Sequence, residues 1–185
     1  MSKGRLFVIS GASGVGKSTV LGKVMGARND LSFSVSATTR PPRPGEVEGK
    51  SYYFVSRDRF EEMIRQDAFL EYDEHAGNFY GTPRLQLEEK LEKGSVILDI
   101  EPVGAFHVRE KAPDAVLIFV MPPTRTELEH RLRTRGDTSE EQIRMRLDRA
   151  NWEMDQSTRY DYVVVNDQVD ECARRILSII AEKAD

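Results

Sequence analysis

The chain has 185 residues, 27 Lys or Arg against 31 Asp or Glu, a formal net charge of −4 and 39% hydrophobic residues. This composition is typical of one globular domain and argues against a general nucleic-acid binder, whose binding domain is usually basic. No apolar run approaches the ~20 residues that span a bilayer, and the N-terminus lacks the pattern of a signal peptide. We therefore expect a cytoplasmic protein with neither a membrane nor a nucleic acid as partner. The single cysteine, Cys172, lies in a helical, half-apolar context that predicts a buried side chain.

Apolar runs of strand length alternate with helical stretches along most of the chain. The first run, residues 6–10, ends in a glycine-rich turn and leads into a helix that begins at Ser18. Such alternation predicts an α/β fold in which helices cover both faces of a parallel sheet. The further predicted strands are 95–100, 115–121 and 162–166, and the further predicted helices are 124–134, 139–154 and 169–183.

Residues 34–83 break this alternation. They are richer in Pro, Gly, Tyr and Thr, and SYYFVS at 51–56 alternates as a half-exposed strand does, followed by a helix near 57–66. The segment RTRGDTSEE is a glycine-containing turn between two helices and suits a mobile lid, with an N-cap at Thr138 or Ser139. We interpret the chain as one domain, with core segments 1–33, 84–124 and 156–185, an inserted mixed α+β subdomain at 34–83 and a small helical lid at 125–155.

The most specific motif is GASGVGKST, which begins at Gly11. It matches G-x-x-x-x-G-K-[ST] in full, after a predicted buried strand and before a predicted helix. Its glycines let backbone N–H groups cradle phosphate oxygens, while Lys17 reaches the β and γ phosphates and Ser18 offers its hydroxyl to Mg²⁺. The motif therefore predicts a nucleoside triphosphate site, rather than a glycine-rich turn that binds nothing. The residues assigned to it are Gly11, Ala12, Ser13, Gly14, Val15, Gly16, Lys17, Ser18 and Thr19.

Asp99 closes the apolar run VILD. A carboxylate at the end of a buried strand beside a phosphate loop is well placed to hold the shell of a magnesium ion. The alternative is that Asp99 caps a following helix. The predicted metal site consists of Ser18 and Asp99.

The stretch SVSATTRPPRPGE holds two cations on a stiff turn. Arg40 and Arg43 lie among Pro41, Pro42 and Pro44, so the backbone between the guanidinium groups has little freedom. A guanidinium fork matches the geometry of a phosphate group and keeps its charge at every physiological pH. We predict a site for a small anion here, and the alternative is a solvated surface turn.

Taken with GKSYYFV, FLEYDEHAGNFYGTP and the phosphate loop, this stretch makes the chain resemble guanylate kinase, the family that phosphorylates GMP at the expense of ATP. The resemblance covers residues from about 5 to 181, with the segments in the family's order and spacing. It implies a P-loop nucleoside monophosphate kinase-like fold in which 34–83 binds GMP. It also implies ATP as co-substrate, Mg²⁺ as cofactor, and GMP or dGMP as the acceptor.

The resemblance also assigns roles in acceptor binding. Glu71 would read guanine, because an ionised carboxylate only accepts hydrogen bonds and guanine presents two adjacent donors, N1–H and NH₂. Glu101 occupies the position of a second acid near the base. The full acceptor set is Ser36, Arg40, Arg43, Tyr52, Glu71, Tyr80, Thr82 and Glu101, in which the arginines and tyrosines bind the phosphate and the hydroxyls of Ser36 and Thr82 read the base edge.

The chain departs from the family pattern at two positions. Ala12 stands where a proline is commoner, which matters little because backbone N–H groups do the binding there. Val103, in PVGA, stands where a glutamine is usual and cannot form a side-chain hydrogen bond.

In the resemblance, three arginines close over the phosphates. Arg131 and Arg135 are four residues apart, on one face of a helix that continues that far, and Arg146 lies on the next helix. The implied chemistry is in-line transfer of the γ-phosphoryl group, without a strong base, because the acceptor oxygen is already anionic. The groups assigned to catalysis are Lys17, Arg40, Arg131, Arg135 and Arg146, whereas His75, His107 and His130 form no ligand-spaced cluster and are expected on the surface or in packing.

Two other functions remain open at this point. One is a related P-loop kinase for another small phosphate ester, such as ribose bisphosphate or a different nucleoside monophosphate. The other is a non-catalytic binding module, since guanylate kinase-like domains of scaffold proteins bind peptides on the same fold. The intact phosphate-loop glycines, Lys17 and Ser18 favour catalysis.

Overall fold

The computed structural model of the protein describes residues 4–75, 77–134 and 139–184. Within these residues the strands are β1 (Leu6–Gly11), β2 (Leu31–Phe33), β3 (Ala37–Thr38), β4 (Tyr53–Phe54), β5 (Phe69–His75), β6 (Asn78–Pro83), β7 (Ser95–Asp99), β8 (Val116–Met121) and β9 (Tyr162–Val165). The helices are α1 (Lys17–Ala27), α2 (Arg57–Arg65), α3 (Arg84–Leu91), α4 (Pro102–Lys111), α5 (Arg125–Thr134), α6 (Glu140–Asp155) and α7 (Val169–Lys183), with a 3₁₀ turn at Gln156–Arg159.

The main sheet has five parallel strands in the order β2-β7-β1-β8-β9. All of β1 is buried, and so are five of the six residues of β8, as expected for central strands covered on both faces. The α/β fold with a parallel sheet flanked by helices is therefore confirmed. The predicted strands and helices of this part match the observed ones to within one or two residues.

Three elements of this part were not predicted: β2, α3 and α4. The apolar residues of α3 do not share one face, because Leu85 is exposed whereas Leu87 and Leu91 are buried. In α4 the first residue is Pro102 and the third is Gly104, which are unusual in a helix interior but tolerated in the first turn. Neither sequence shows the periodicity from which a helix is predicted.

A second, mixed sheet lies within residues 37–83, in the order β4-β3-β6-β5. The β5–β6 hairpin is antiparallel and pairs Glu71 with Thr82 and Asp73 with Tyr80. The predicted strand 51–56 is too long, because the observed strand is Tyr53–Phe54, Tyr52 forms an isolated bridge with Glu48, and Ser56 caps α2 by accepting a hydrogen bond from Arg59 N–H. The division of the chain into core, subdomain and lid stays a prediction.

Each sheet has its own buried cluster. The larger one spans the main sheet and its helices, and the smaller one consists of Ala37, Phe60 and Phe69 under the second sheet. The ring of Phe60 stacks on Phe69 at 4.4 Å and on Phe79 at 5.2 Å between centroids. The aromatic stack therefore lies at the centre of the buried cluster under the second sheet.

The N-terminus of α6 has the predicted cap. Ser139 Oγ accepts the backbone N–H of Gln142, and the Gln142 side chain accepts the N–H of Ser139, which is a capping box. Thr138, the alternative cap, lies outside the described residues.

Across the described residues, we find no helix with the length and apolar character needed to cross a bilayer.

We predict that Phe60→Ala destabilises the protein by about 3–5 kcal/mol, because it removes the ring at the centre of the small cluster. Leu85→Ala is the control, since Leu85 is 64% exposed and its loss should change stability by no more than about 0.5 kcal/mol. Urea unfolding followed by circular dichroism measures both. Equal unfolding midpoints for Phe60→Ala and the wild type would contradict the prediction.

Candidate functional site

A cleft of about 310 Å³ lies between the carboxyl-terminal edge of the main sheet and the second sheet. In open α/β sheets, ligands bind beyond the carboxyl ends of the strands. Seven residues predicted for the site line this single cleft: Lys17, Ser36, Tyr52, Glu71, Tyr80, Asp99 and Glu101.

The phosphate loop joins β1 to α1 in a conformation that needs its glycines. Gly14 and Gly16 have φ values of 86° and 90°, a left-handed region that side chains disfavour. A Cβ on Gly11 would lie 2.8 Å from the carbonyl oxygen of Val120. Asn166 Nδ2 donates to Val15 O at 2.8 Å and so fixes the loop against the end of β9.

Lys17 is paired with a carboxylate at the end of β7. Its Nζ lies 2.5 Å from Oδ1 of Asp99, because β1 and β7 are adjacent and parallel. Burial by itself would lower the pKa of Lys17, but the charges of Asp99 and Glu101 outweigh it and raise the pKa. The ammonium group therefore stays charged at the floor of the cleft.

Asp99 and the neighbouring Ser18 offer oxygen atoms suited to Mg²⁺. Ser18 and Asp99 line a common depression next to the phosphate loop. Mg²⁺ is usually held by one or two carboxylates together with waters and substrate phosphates, and seldom by a cage made of protein alone. The two predicted ligands fit that pattern.

Glu71 is a buried carboxylate at the other end of the cleft. It is 4% exposed, and Thr82 Oγ1 donates to its Oε1 at 2.6 Å across the β5–β6 pair. Burial raises the pKa of Glu71, and the hydrogen bond from Thr82 partly opposes this. A Cβ on Gly104 would lie 2.8 Å from Oε2 of Glu71, so only glycine at that position of α4 leaves room for the carboxylate.

Glu46, which was not predicted for the site, organises the proline-rich turn. One of its oxygens accepts from Arg40 Nη2 at 2.7 Å and the other accepts the backbone N–H of Arg43 at 2.7 Å. The Arg40 guanidinium lies 5.4 Å from the ring of Tyr52, which is 6.0 Å from the ring of Tyr80. Arg40 is therefore held next to Tyr52, one of the cleft-lining tyrosines.

The other predicted residues lie farther from the cleft lining. Arg43 is exposed, and Arg146 is half-buried on α6 without an ion pair among the described residues. Arg131 Nη1 contacts the carbonyl oxygens of Val15 and Asn166 at 3.4 Å and 3.2 Å, and its Nε donates to Glu127 at 2.8 Å. Arg135 lies outside the described residues.

Asp73 and His75 also line the cleft and were missed. Alternate residues of a strand face the same side, so Glu71, Asp73 and His75 share one face of β5. Extending the strand alternation from Glu71 could have found both. His75 was instead expected on the surface or in packing, and it is exposed at the mouth of the cleft.

Cys172 is buried, as predicted, and burial raises the pKa of its thiol to about 11. The group is therefore a neutral thiol at physiological pH.

The chain is similar to known proteins in three comparisons. A family model for guanylate kinase matches residues 3–183. A guanylate kinase of Thermus thermophilus is 52% identical over 179 residues, covering 96% of this chain and 81% of that protein. A guanylate kinase of Trichodesmium erythraeum is 49% identical over 181 residues, covering 97% of each.

The crystal structure of guanylate kinase from Anaplasma phagocytophilum has a TM-score of 0.81 and 36% identity, and the match covers all of this chain and 88% of that one. The fold, the phosphate loop and the nearly complete coverage lead to one conclusion: this chain belongs to the guanylate kinase family.

Proposed function

We propose that this protein transfers the γ-phosphoryl group of ATP to GMP or dGMP, giving ADP and GDP or dGDP, in guanine nucleotide synthesis and GMP recycling. The observation that carries this proposal is the cleft shared by Lys17, from the phosphate loop, and Glu71, from the second sheet. A cation for the donor phosphates and a buried acid for the acceptor base thus face one space.

Acceptor choice rests on the hydrogen-bonding character of Glu71. When ionised, its two oxygens accept N1–H and the exocyclic NH₂ of guanine together, whereas adenine presents an acceptor at N1. The hydrogen bond that Thr82 Oγ1 donates to Oε1 of Glu71, with 2.6 Å between the two oxygens, fixes the carboxylate in the cleft. Ser36 and Glu101, which line the same cleft, complete the set that we assign to the base.

The acceptor phosphate is assigned to Arg40, Arg43, Tyr52 and Tyr80. The hydrogen bonds that Glu46 accepts from Arg40 and Arg43 hold the turn before the phosphate arrives, so less conformational freedom is lost on binding. A doubly charged phosphate group competes with Glu46 for Arg40 and offers Arg43, which is exposed, a partner.

The transfer requires that the GMP oxygen and the γ-phosphorus are aligned and that positive charge lies close to them. An oxygen of the GMP phosphate forms a bond to the γ-phosphorus while the bond to the β–γ bridging oxygen breaks, and ADP leaves with that oxygen. We assign to four cations the stabilisation of the negative charge that develops on the phosphoryl oxygens: Lys17, Arg131, Arg135 and Arg146. When bound at Ser18 and Asp99, Mg²⁺ supplies further positive charge to the β and γ phosphates. Closure of the lid would exclude water as a competing acceptor.

A coupled assay of ADP release tests the acceptor. GMP and dGMP should support turnover, with Mg²⁺ required, while AMP, UMP and ribose bisphosphate should give little. Equal turnover with AMP or a sugar phosphate would favour the rival function as a kinase of another phosphate ester. The cytoplasmic location stays a prediction.

Lys17→Met should fold and lose at least about a hundredfold in kcat, since removing one fixed donor to developing charge costs that much in other enzymes. Lys23→Met, also on α1 but half-exposed and paired with Asp170, is the matched control and should keep its activity. Steady-state kinetics on both folded variants make the comparison. Normal turnover by Lys17→Met would exclude the proposed role of the phosphate loop.

Glu71→Gln should raise the KM for GMP about ten- to a hundredfold, because a hydrogen bond to a charged group contributes about 1.5–3 kcal/mol. The amide keeps the shape of the side chain but presents a donor to one of the guanine donors. Glu74→Gln, at an exposed position of the same strand, should leave the KM unchanged. An unaltered KM in Glu71→Gln would remove this residue from base recognition.

The KM for GMP should rise as the pH falls below neutrality. Burial raises the pKa of Glu71, so the carboxyl group binds a proton at a higher pH than an exposed glutamate, and a protonated acid cannot accept both guanine donors. The phosphate group of GMP also titrates, with a pKa of about 6. Glu71→Gln separates the two effects, since it shares only the phosphate titration; identical pH profiles for the variant and the wild type would contradict the prediction.

A further inference from the structure

A chain of charged contacts connects the phosphate loop with the wall of the acceptor cleft. At its centre is Arg149 on α6, whose Nε donates to Oε1 of Glu153 at 2.8 Å and whose Nη2 lies 3.3 Å from Oε2 of Glu101. The other oxygen of Glu153 accepts the backbone N–H of Ser13 at 2.7 Å. Direct contacts therefore run from Ser13 through Glu153 and Arg149 to Glu101, and we call these four residues the arginine bridge.

The same guanidinium reaches the second sheet. Nη1 of Arg149 lies 2.7 Å from Nε2 and 3.0 Å from Nδ1 of His75, which lines the cleft at the outer end of β5. Arg149 thus contacts both Glu101 and β5, the strand that carries Glu71. No residue of the phosphate loop, β5 or α4 is near Arg149 in the sequence, so these contacts exist only in the folded chain.

Burial distinguishes this bridge from an ordinary surface ion pair. Exposed pairs contribute little to stability, but Glu153 is 1% exposed. Burial raises the pKa of Glu153, and the nearby carboxylate of Glu101 raises it further, while the bond from Arg149 opposes both effects. Removing Arg149 would leave the buried carboxylate of Glu153 without its charge partner, whereas the half-exposed Glu101 would lose the contact that orients it.

We propose that Arg149 is a positioning residue for phosphoryl transfer. It holds Glu101 at the acceptor pocket and Glu153 on the phosphate loop, and so fixes the donor and acceptor sites relative to each other. The inference rests on the proposed function, since it concerns how GMP and ATP are aligned. Binding groups that are held in place before the substrate arrives lose less conformational freedom on binding, which is why a residue without substrate contact can change substrate affinity here.

An arginine suits this position better than a lysine. The planar guanidinium presents five N–H donors in a fixed fork and can contact acceptors on three sides at once. Here the three are Glu153, Glu101 and His75. A lysine ammonium on a flexible stem would keep the charge and hold fewer of them.

The experiment compares Arg149→Ala, Arg149→Lys and His75→Ala with a matched control, Arg144→Ala, which removes an exposed arginine from the same helix. For each variant, kcat and the KM values for GMP and ATP are measured at saturating co-substrate. Calorimetric titration with GMP alone gives affinity without turnover, and thermal unfolding reports the folded state.

We expect Arg149→Ala to raise the KM and the calorimetric Kd for GMP about tenfold, as expected for losing a charged hydrogen bond, and to raise the KM for ATP in the same direction. Arg149→Lys should recover part of the GMP affinity. His75→Ala should show a smaller effect confined to GMP, and Arg144→Ala should match the wild type.

A purely structural role predicts a different pattern. It would lower the unfolding temperature and the active fraction, and hence kcat, while KM and Kd for GMP stay within twofold of the wild type; that result would overturn the proposal. If Arg149→Ala does not fold, Arg149→Lys tests the proposal. Wild-type KM values for Arg149→Lys would then show that a guanidinium is not needed at this position and would overturn the proposal. A wild-type protein that does not phosphorylate GMP would instead overturn the proposed function, so the two failures are distinguishable.

Discussion

The site depends on the parallel pairing of β1 with β7. Ile9 pairs with Asp99, and the phosphate loop starts two residues later, so the register of two strands brings Asp99 to within 2.5 Å of Lys17. Parallel strands in one sheet end at the same edge, and their loops meet there. The elements that carry the other wall of the cleft follow the same sheet in the chain, since β3 comes after β2 and α4 comes after β7.

The acceptor side places a carboxylate where water is largely excluded. Burying an acid is costly unless it is paired or hydrogen-bonded, and Glu71 has one hydroxyl partner and a raised pKa. An acid with a raised pKa that lines a cleft is a candidate for ligand binding.

Acidic residues also position the cations of the protein. Glu46 holds Arg40, Asp99 holds Lys17, and Glu153 and Glu101 hold Arg149. Cations around one cleft repel one another, and each carboxylate offsets part of that repulsion. The net charge of −4 therefore coexists with a site built for polyanionic substrates.

Local patterns in the sequence determined the phosphate loop, the alternation of strands and helices and the capping box at Ser139, because each depends on residues a few positions apart. The resemblance to guanylate kinases supplied the predicted acceptor residues, which stay a prediction, and the family model that matches residues 3–183 confirms the family. Only the tertiary structure placed Gly104 against Glu71, Glu46 between two arginines and Arg149 between two acids. Ser13 and Glu153 are 140 residues apart, and a contact over such a distance is set by how the elements pack, which no local pattern encodes.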